Sequence, residues 1–517
     1  MKKDKIKILL EMRPALEGYA GIPQETRLLF RGLCLSQSLE VEGLLQTSLR
    51  FLTAGIKTNQ LSDDGLANSE RLNRHSKVIL SIDIKPIKNK FDAWALYLKR
   101  RRAVLGLTLS TMLRFRGHKV ALTTFESRYF EDFIWQTLFA KTLPAIDYSL
   151  VTKKNYKICA TPWNIFQTVG LNSRLLFSSP IYPQLDTADS DIFISQTPYP
   201  ARVNKKTTLV VRYHDALPIF MSHAFANKSR HQAVHFNALL SNVQSGAYFA
   251  CVSEATRQDL LKVFPEVKDR AVTIHNMVAP DYFYEDSSVE RVSQIIRARL
   301  NFSTASTCPD FRSLNEKELF YQQHLGAGNV NYLLMVSTIE PRKNHTRLIA
   351  AWENIRAEID PSLKLVIVGG LGWDVEPIMR EMRTWIDQGK LFVLNNVPSA
   401  DLRVLYRHAQ ATVCPSIAEG FDFSGVEAMS CGSVVIASDI AVHREIYDDA
   451  AEYFDPHSTD SLIESIKKVR YSTHSDELKN QLHHRGLLVA KRYDSNVILP
   501  VWEKFLQEIN NKRQSHI

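Results

Sequence analysis

With 517 residues, of which 45% are hydrophobic and 23% charged, the chain is too long for one ordinary core and too apolar for disorder, so two or more domains are expected. The net charge of +9 raises an anionic partner, but the basic residues are not interleaved with aromatics as a base-stacking groove requires, which excludes nucleic acid. Six scattered cysteines without a Cys-x-x-Cys pair exclude a zinc ribbon or a disulfide framework and read as mostly buried thiols.

The first element is a strand-like run from Lys7 to Met12, too short for a signal-peptide core, so a cytoplasmic protein is expected. Gly21, in the stretch Gly18 to Pro23, suits either a loop that brings backbone close to a phosphate or acceptor, or a plain turn into a helix. Residues from about 55 to 190 are lysine-rich and poorly periodic, and read as an elaboration of the N-terminal domain. Within segment 85–119, Lys99 to Arg102 precede eleven mostly apolar residues, and Arg114, Arg116 and Lys119 follow. A span of the bilayer needs about twenty such residues. Two readings stay open: a core helix with solvated basic ends, or a helix lying in the anionic headgroups of the inner face of the cytoplasmic membrane.

Strands are expected again at Ile192–Ser195, Thr208–Tyr213 and Tyr248–Val252. Asp189-Ser190-Asp191 has the form of a metal-binding Asp-x-Asp pair, but a turn at a strand start explains it, and no metal is expected. The polar stretch 284–328 reads as a linker. Beyond it, short apolar runs at Tyr332–Ser337, Leu363–Val368, Leu391–Leu394, Ala411–Pro415 and Val434–Ser438 alternate with helical segments. The expected fold class is α/β, with two Rossmann-like doubly wound domains facing across a cleft: residues 1–283, a linker at 284–328 and residues 329–494, followed by a partly helical segment 495–517.

Glu419 to Met429 follows the run ending at Pro415 and opens into a helical pattern, with a carboxylate, Glu419 or Glu427, on each side. Unpaired amides at a helix start attract phosphate, and the two carboxylates can accept hydroxyls at opposite ends of one extended ligand. Taken by themselves, Glu427 also fits a helix-capping carboxylate and Glu419 a surface turn.

This segment resembles the Glu-x7-Glu motif of retaining glycosyltransferases of family 4, which have the GT-B fold; the resemblance implies that residues 1–283 form the acceptor side, that residues 329–494 bind the nucleotide sugar, and that a helix from 495 to 517 crosses back to the first domain. Further blocks occur in that family's order: Ser337 to Asn344, Val366 to Gly370, Val397-Pro398 with Asp401-Leu402 and Leu405-Tyr406, and Cys431 to Ser438. More loosely, Gly18 to Pro23, Tyr213-His214-Asp215 and Val252-Ser253-Glu254 are similar too. The resemblance implies that Glu419 binds donor-sugar hydroxyls, Glu427 the ribose, and the Phe423 and Ser424 amides the diphosphate, with Gly21 and Gly369 in the phosphate-side loops. It implies that Lys343 neutralises the leaving diphosphate and that His214 reaches the donor sugar, with Asp215 setting its tautomer. Many members carry an arginine where this chain has Thr338, and Arg342 is the substitute candidate. Asn276 stands where the family commonly has Asn-Gly.

The expected activity is transfer of a sugar, first of all mannose from GDP-mannose, to a glycan or lipid-linked acceptor in O-antigen-type polysaccharide assembly, with no cofactor beyond the nucleotide sugar. A UDP- or dTDP-sugar donor, and a catalytically silent glycan- or membrane-binding scaffold, are the alternatives.

Overall fold

The computed structural model describes residues 5–18, 21–57, 68–83, 89–113, 119–222, 228–300, 307–326 and 329–515. Tyr19, Ala20, Lys85, Arg114, Arg116, residues 303–306 and residues 327–328 therefore lie outside the described residues.

The first sheet has eight strands: β1 (Ile6–Glu11), β2 (Leu39–Leu45), β3 (Thr123–Phe125), β4 (Tyr156–Ile158), β5 (Ile192–Ser195), β6 (Thr208–Tyr213), β7 (Tyr248–Cys251) and β8 (Ala271–Thr273). Their order is β3-β4-β2-β1-β5-β6-β7-β8, parallel except for β3 against β4. β1 shows why these runs are strands: Ile-Lys-Ile-Leu-Leu-Glu is buried at every position but Lys7, the near-continuous burial of a parallel strand covered on both faces. The chain leaves β1 toward β2 on one side and returns as β5 on the other, so a topological switch lies between β1 and β5.

The second sheet holds β9 (Tyr332–Val336), β10 (Lys364–Val368), β11 (Leu391–Leu394), β12 (Thr412–Cys414), β13 (Val435–Ser438) and β14 (Ala451–Phe454), ordered β11-β10-β9-β12-β13-β14. All of its pairings are parallel, and its switch lies between β9 and β12. The chain thus forms the doubly wound α/β sheets expected from the alternation.

Several local readings need correction. Residues 284–328 are not a bare linker: Glu290–Leu300 and Leu314–Leu325 are helices. Val292, Ile295, Ile296 and Leu300 recur at helical spacing and are buried with Tyr332 and Leu334 in the core of the second sheet. The stretch 55–190 is not wholly an elaboration, since it supplies β3 and β4. The apolar run after Arg102 belongs to the helix Lys90–Met112, begun by Asn89 accepting from the Asp92 amide at 2.8 Å. It is not a core helix. Only Thr108 is buried along its length, while Phe91 (72%), Leu105 (60%), Trp94 and Leu109 stand exposed.

The helix Ser495–Ser515 packs Ile498, Trp502, Phe505, Leu506 and Ile509 into the core beneath β1, and Arg513 pairs with Asp191 at 2.5 Å. Asp191 also accepts the Lys7 amide at 2.9 Å, and Asp189 lies 3.7 Å from the Lys157 ammonium, so both aspartates serve the entry of β5. All six cysteines are free thiols, Cys308 alone being partly exposed.

Candidate active site

At the carboxyl end of β9 the chain turns through Pro341–Lys343 and then Asn344, whose left-handed backbone (φ 61°) is held by Nδ2 bonds to the carbonyls of Pro415 and Pro456, 3.0 Å each. This turn aims two cations at the loop following β12. Lys343 Nζ donates to Glu419 Oε1 at 2.5 Å, and Arg342 donates to Glu419 Oε2 at 2.8 Å and to Glu340 Oε1 at 2.7 Å. Burial works against all three charges. Arg342 and Lys343 nevertheless hold the Glu419 carboxyl below its ordinary range, and Glu419 with Asp422 holds the Lys343 ammonium above its own. Glu419 and Lys343 are thereby held in their charged forms, whereas burial raises the Glu340 carboxyl. Gly369, at the end of β10, has to be glycine, because a Cβ there would stand 1.9 Å from the Ser337 carbonyl oxygen.

The helix Phe423–Ser430 begins at Asp422, a non-glycine residue at φ 63°, whose Oδ1 accepts the Ser424 amide at 3.2 Å and the Ser424 hydroxyl at 2.7 Å. Asp422 Oδ2 lies 3.2 Å from His443 Nε2, and with Lys343 and these bonds the carboxyl is held well below its usual value despite burial. The Ser424 amide is therefore already engaged by a carboxylate. One turn further on, Glu427 is buried and pushed up to about 7, even though it accepts from Gln24 Nε2 at 2.9 Å and from the Tyr406 hydroxyl at 3.2 Å.

The N-terminal sheet presents its own carboxyl edge to this cluster. Gly420 lies against the end of β6 so closely that a Cβ would stand 1.9 Å from the His214 carbonyl oxygen. Burial and the nearby Arg212 disfavour protonation of the His214 ring, and its Nε2 is shielded with no hydrogen-bond partner among the described residues. Asp215 does not fix the tautomer of His214: its carboxylate accepts the Leu217 amide at 3.0 Å. Gly21 starts the helix Ile22–Leu35 at φ 68°, with nothing within 4 Å of a Cβ position, so its backbone conformation and not crowding calls for glycine. Asn276 accepts from Arg212 at 2.6 Å inside the core, and Arg212 also pairs with buried Glu25.

Lys343, Arg342 and Glu419 thus meet directly, with His214 on the facing edge, while Glu427 lies one helical turn away with Gln24. Asp422, His443, Tyr406 and Gln24 were not singled out from the sequence. Tyr406 fell in a block already noted, but nothing local marks Gln24, which meets Glu427 from 403 positions away.

Two sheets, parallel but for β3, with their carboxyl edges facing one another, and a cation–carboxylate cluster at one switch point, define a GT-B architecture. Residues 316–486 match the family described as Glycosyl transferases group 1. The chain is similar to O-antigen chain mannosyltransferase B of Escherichia coli, 27% identical over 284 residues, which is 55% of this chain and 66% of that protein. It is 24% identical over 270 residues to the serotype-specific mannosyltransferase WbdA of Escherichia coli, covering 51% of this chain and 29% of WbdA. It is 27% identical over 229 residues to O-antigen chain mannosyltransferase RfbU of Salmonella typhimurium, covering 40% of this chain and 62% of that protein. The chain thus spans no more than about two thirds of any of the three. Among solved structures, sucrose-phosphate synthase from Thermosynechococcus elongatus superposes with a TM-score of 0.55 over 98% of this chain and 99% of its own, at 12% identity, and shares the fold.

Proposed function

We propose that the protein is a retaining glycosyltransferase of family 4 that moves a sugar, mannose from GDP-mannose, to a glycan or lipid-linked acceptor in O-antigen-type polysaccharide assembly. The observation that carries this reading is Glu419 clamped by Lys343 and Arg342 opposite His214, with Glu427 one turn inside the helix Phe423–Ser430 that follows. The mannosyltransferase names of the relatives support the sugar.

In this reading the diphosphate enters against Lys343 and Arg342, the Phe423 amide, the Ser424 amide once Asp422 Oδ1 gives it up, and the loops at Gly21 and Gly369, releasing Glu419 to accept sugar hydroxyls while Glu427 accepts the ribose. The bond from C1 to the phosphate oxygen breaks, and Lys343 stabilises the charge that develops there. His214 steadies the sugar. The acceptor oxygen bonds to C1 on the same face, and its proton leaves with the departing phosphate. No metal is required because the two cations meet the phosphate charge. The exposed apolar residues of the helix Lys90–Met112, with Arg101 and Arg102 beside them, support peripheral contact with an anionic membrane surface through segment 85–119.

The test is product analysis with GDP-mannose, UDP-hexoses and dTDP-rhamnose and a cell-envelope lipid extract. Proton NMR of the product should show an α-linked mannose, the donor's own configuration. A β-linked product, or transfer only from another nucleotide sugar, overturns the corresponding part of the reading.

A further inference from the structure

The carboxyl ends of β4, β2, β1 and β5 carry a second cluster of polar side chains that the donor site does not use. Glu11 ends β1 and is fully buried; its Oε1 accepts Arg13 Nε at 2.7 Å and its Oε2 accepts the Gln196 amide at 2.8 Å. The same Arg13 guanidinium reaches Ser48 Oγ after β2 at 3.4 Å and Thr197 Oγ1 after β5 at 3.2 Å, and it lies 4.2 Å above the Trp163 ring. Gln196 is 0% exposed, yet among the described residues neither atom of its side-chain amide has a hydrogen-bond partner, and Trp163 Nε1 and Asn164 Oδ1 are likewise shielded and unpaired there. Leaving one such group unmet is costly, and four polar atoms of this kind gathered at one strand edge call for a ligand that supplies both donors and acceptors.

The place is the switch between β1 and β5, where an open α/β sheet binds its ligand. It lies on the edge that faces the donor cluster: β5 neighbours β6, whose end bears His214, and β1 is one strand further, about 10 Å away at the usual strand spacing. Glu11 pairs with Arg13, and the Glu17 carboxylate accepts the Ser48 amide and hydroxyl at 2.7 and 2.5 Å, so the cluster holds no unmatched positive charge to draw an anion and offers hydrogen bonds to a neutral ligand. Such a set suits a hydroxyl-rich sugar ring better than a phosphate or carboxylate.

We infer that Glu11, Arg13, Trp163, Asn164 and Gln196 form the subsite for the terminal neutral sugar ring of the glycan acceptor. The inference rests on the transferase reading for the word acceptor, but not for the existence of the site. It presents an acceptor hydroxyl to the His214 side of the cleft while the donor occupies the opposite lobe.

Saturation-transfer NMR with methyl α-D-mannopyranoside and methyl α-D-glucopyranoside at millimolar concentration tests it on the intact chain, beside calorimetry with GDP-mannose. At least one hexoside should bind. Trp163→Phe, which keeps an aromatic face for Arg13 and removes Nε1–H, and Gln196→Ala should each weaken that binding about tenfold and leave nucleotide-sugar affinity unchanged in a chain that still melts cooperatively, whereas Lys343→Ala should leave hexoside binding intact. Hexoside binding that survives both substitutions, or no hexoside binding by a chain that binds the nucleotide sugar, overturns the subsite and leaves the transferase reading standing. Hexoside binding lost in Trp163→Phe, with no nucleotide sugar bound by the parent chain, supports the subsite and removes the transferase reading.

Discussion

Gln24 Nε2 donates to Glu427 Oε1 across the cleft at 2.9 Å, so a residue of the N-terminal lobe holds the carboxylate assigned here to the donor ribose. That carboxyl is pushed up to about 7 by burial, which the bonds from Gln24 and Tyr406 only partly offset. Ribose hydroxyls donate best to its ionised form. Nucleotide affinity should therefore rise about tenfold from pH 6 to pH 8, and calorimetry on Glu427→Gln should show that slope lost. Stability should run the other way. A carboxyl raised in the folded state favours folding fully below its unfolded value near 4.5, and that contribution, at most about 3 kcal/mol, fades as pH rises through 7. Glu25, also lifted to about 7, titrates in the same window, so the difference between the parent chain and Glu427→Gln is the quantity to read.

Removing Lys343 leaves Glu419 paired with Arg342 alone. Lys343→Ala should lower kcat about a hundredfold or more with a smaller change in donor KM, because its charge acts on the oxygen as the bond breaks. Steady-state release of nucleoside diphosphate measures both.

Glu445, on the helix Ala441–Tyr447 of the C-terminal lobe, accepts the Glu254 and Ala255 amides at 2.6 and 2.9 Å, at the start of the helix Glu254–Val263 of the other lobe. Its Oε1 also meets His275 Nε2 at 2.8 Å. Glu445→Ala strips a capping anion from that helix and should cost about 2 kcal/mol in a urea titration. Glu445→Gln should recover part of the loss.

Trp502 is fully buried, with Arg212 5.2 Å from its ring. Trp502→Ala should destabilise the protein by about 3–5 kcal/mol and free the C-terminal helix to proteolysis, read by thermal melting and limited trypsin digestion.

The helix Lys90–Met112 should bring the protein to vesicles containing phosphatidylglycerol and not to neutral phosphatidylcholine vesicles in a sedimentation assay. Reversing charge at Arg101 and Arg102 to Glu should abolish the binding, and high salt should weaken it.

The second sheet was legible because its strands are short apolar runs buried on both faces: β11 occurs at the residues expected, and β9, β10, β12 and β13 within two residues at each end. Lys343 and Glu419 were legible for a related reason, since each follows a strand flanking the β9–β12 switch and strand ends position what comes next. The expected strands lack β2, β3, β4, β8 and β14: β3, β4 and β8 span only three residues each, β14 four, and the seven of β2 are broken up by Glu40, Glu42 and Gly43, which weakens the apolar pattern. The helices Glu290–Leu300 and Leu314–Leu325 were read through as linker because serine, threonine and glycine around them masked the spacing of Val292, Ile295, Ile296 and Leu300. Contacts such as Gln24 with Glu427 or Arg13 with Trp163 join residues far apart in the chain, and no local pattern encodes them.

The central claim is most directly tested by titrating GDP-mannose, with UDP-glucose and dTDP-rhamnose beside it, into the intact protein in the presence of EDTA. The account predicts that GDP-mannose binds with micromolar affinity, that Glu427→Gln weakens it at pH 8, and that Glu419→Ala abolishes sugar transfer while the fold survives. Absence of binding by every nucleotide sugar at millimolar concentration would contradict it.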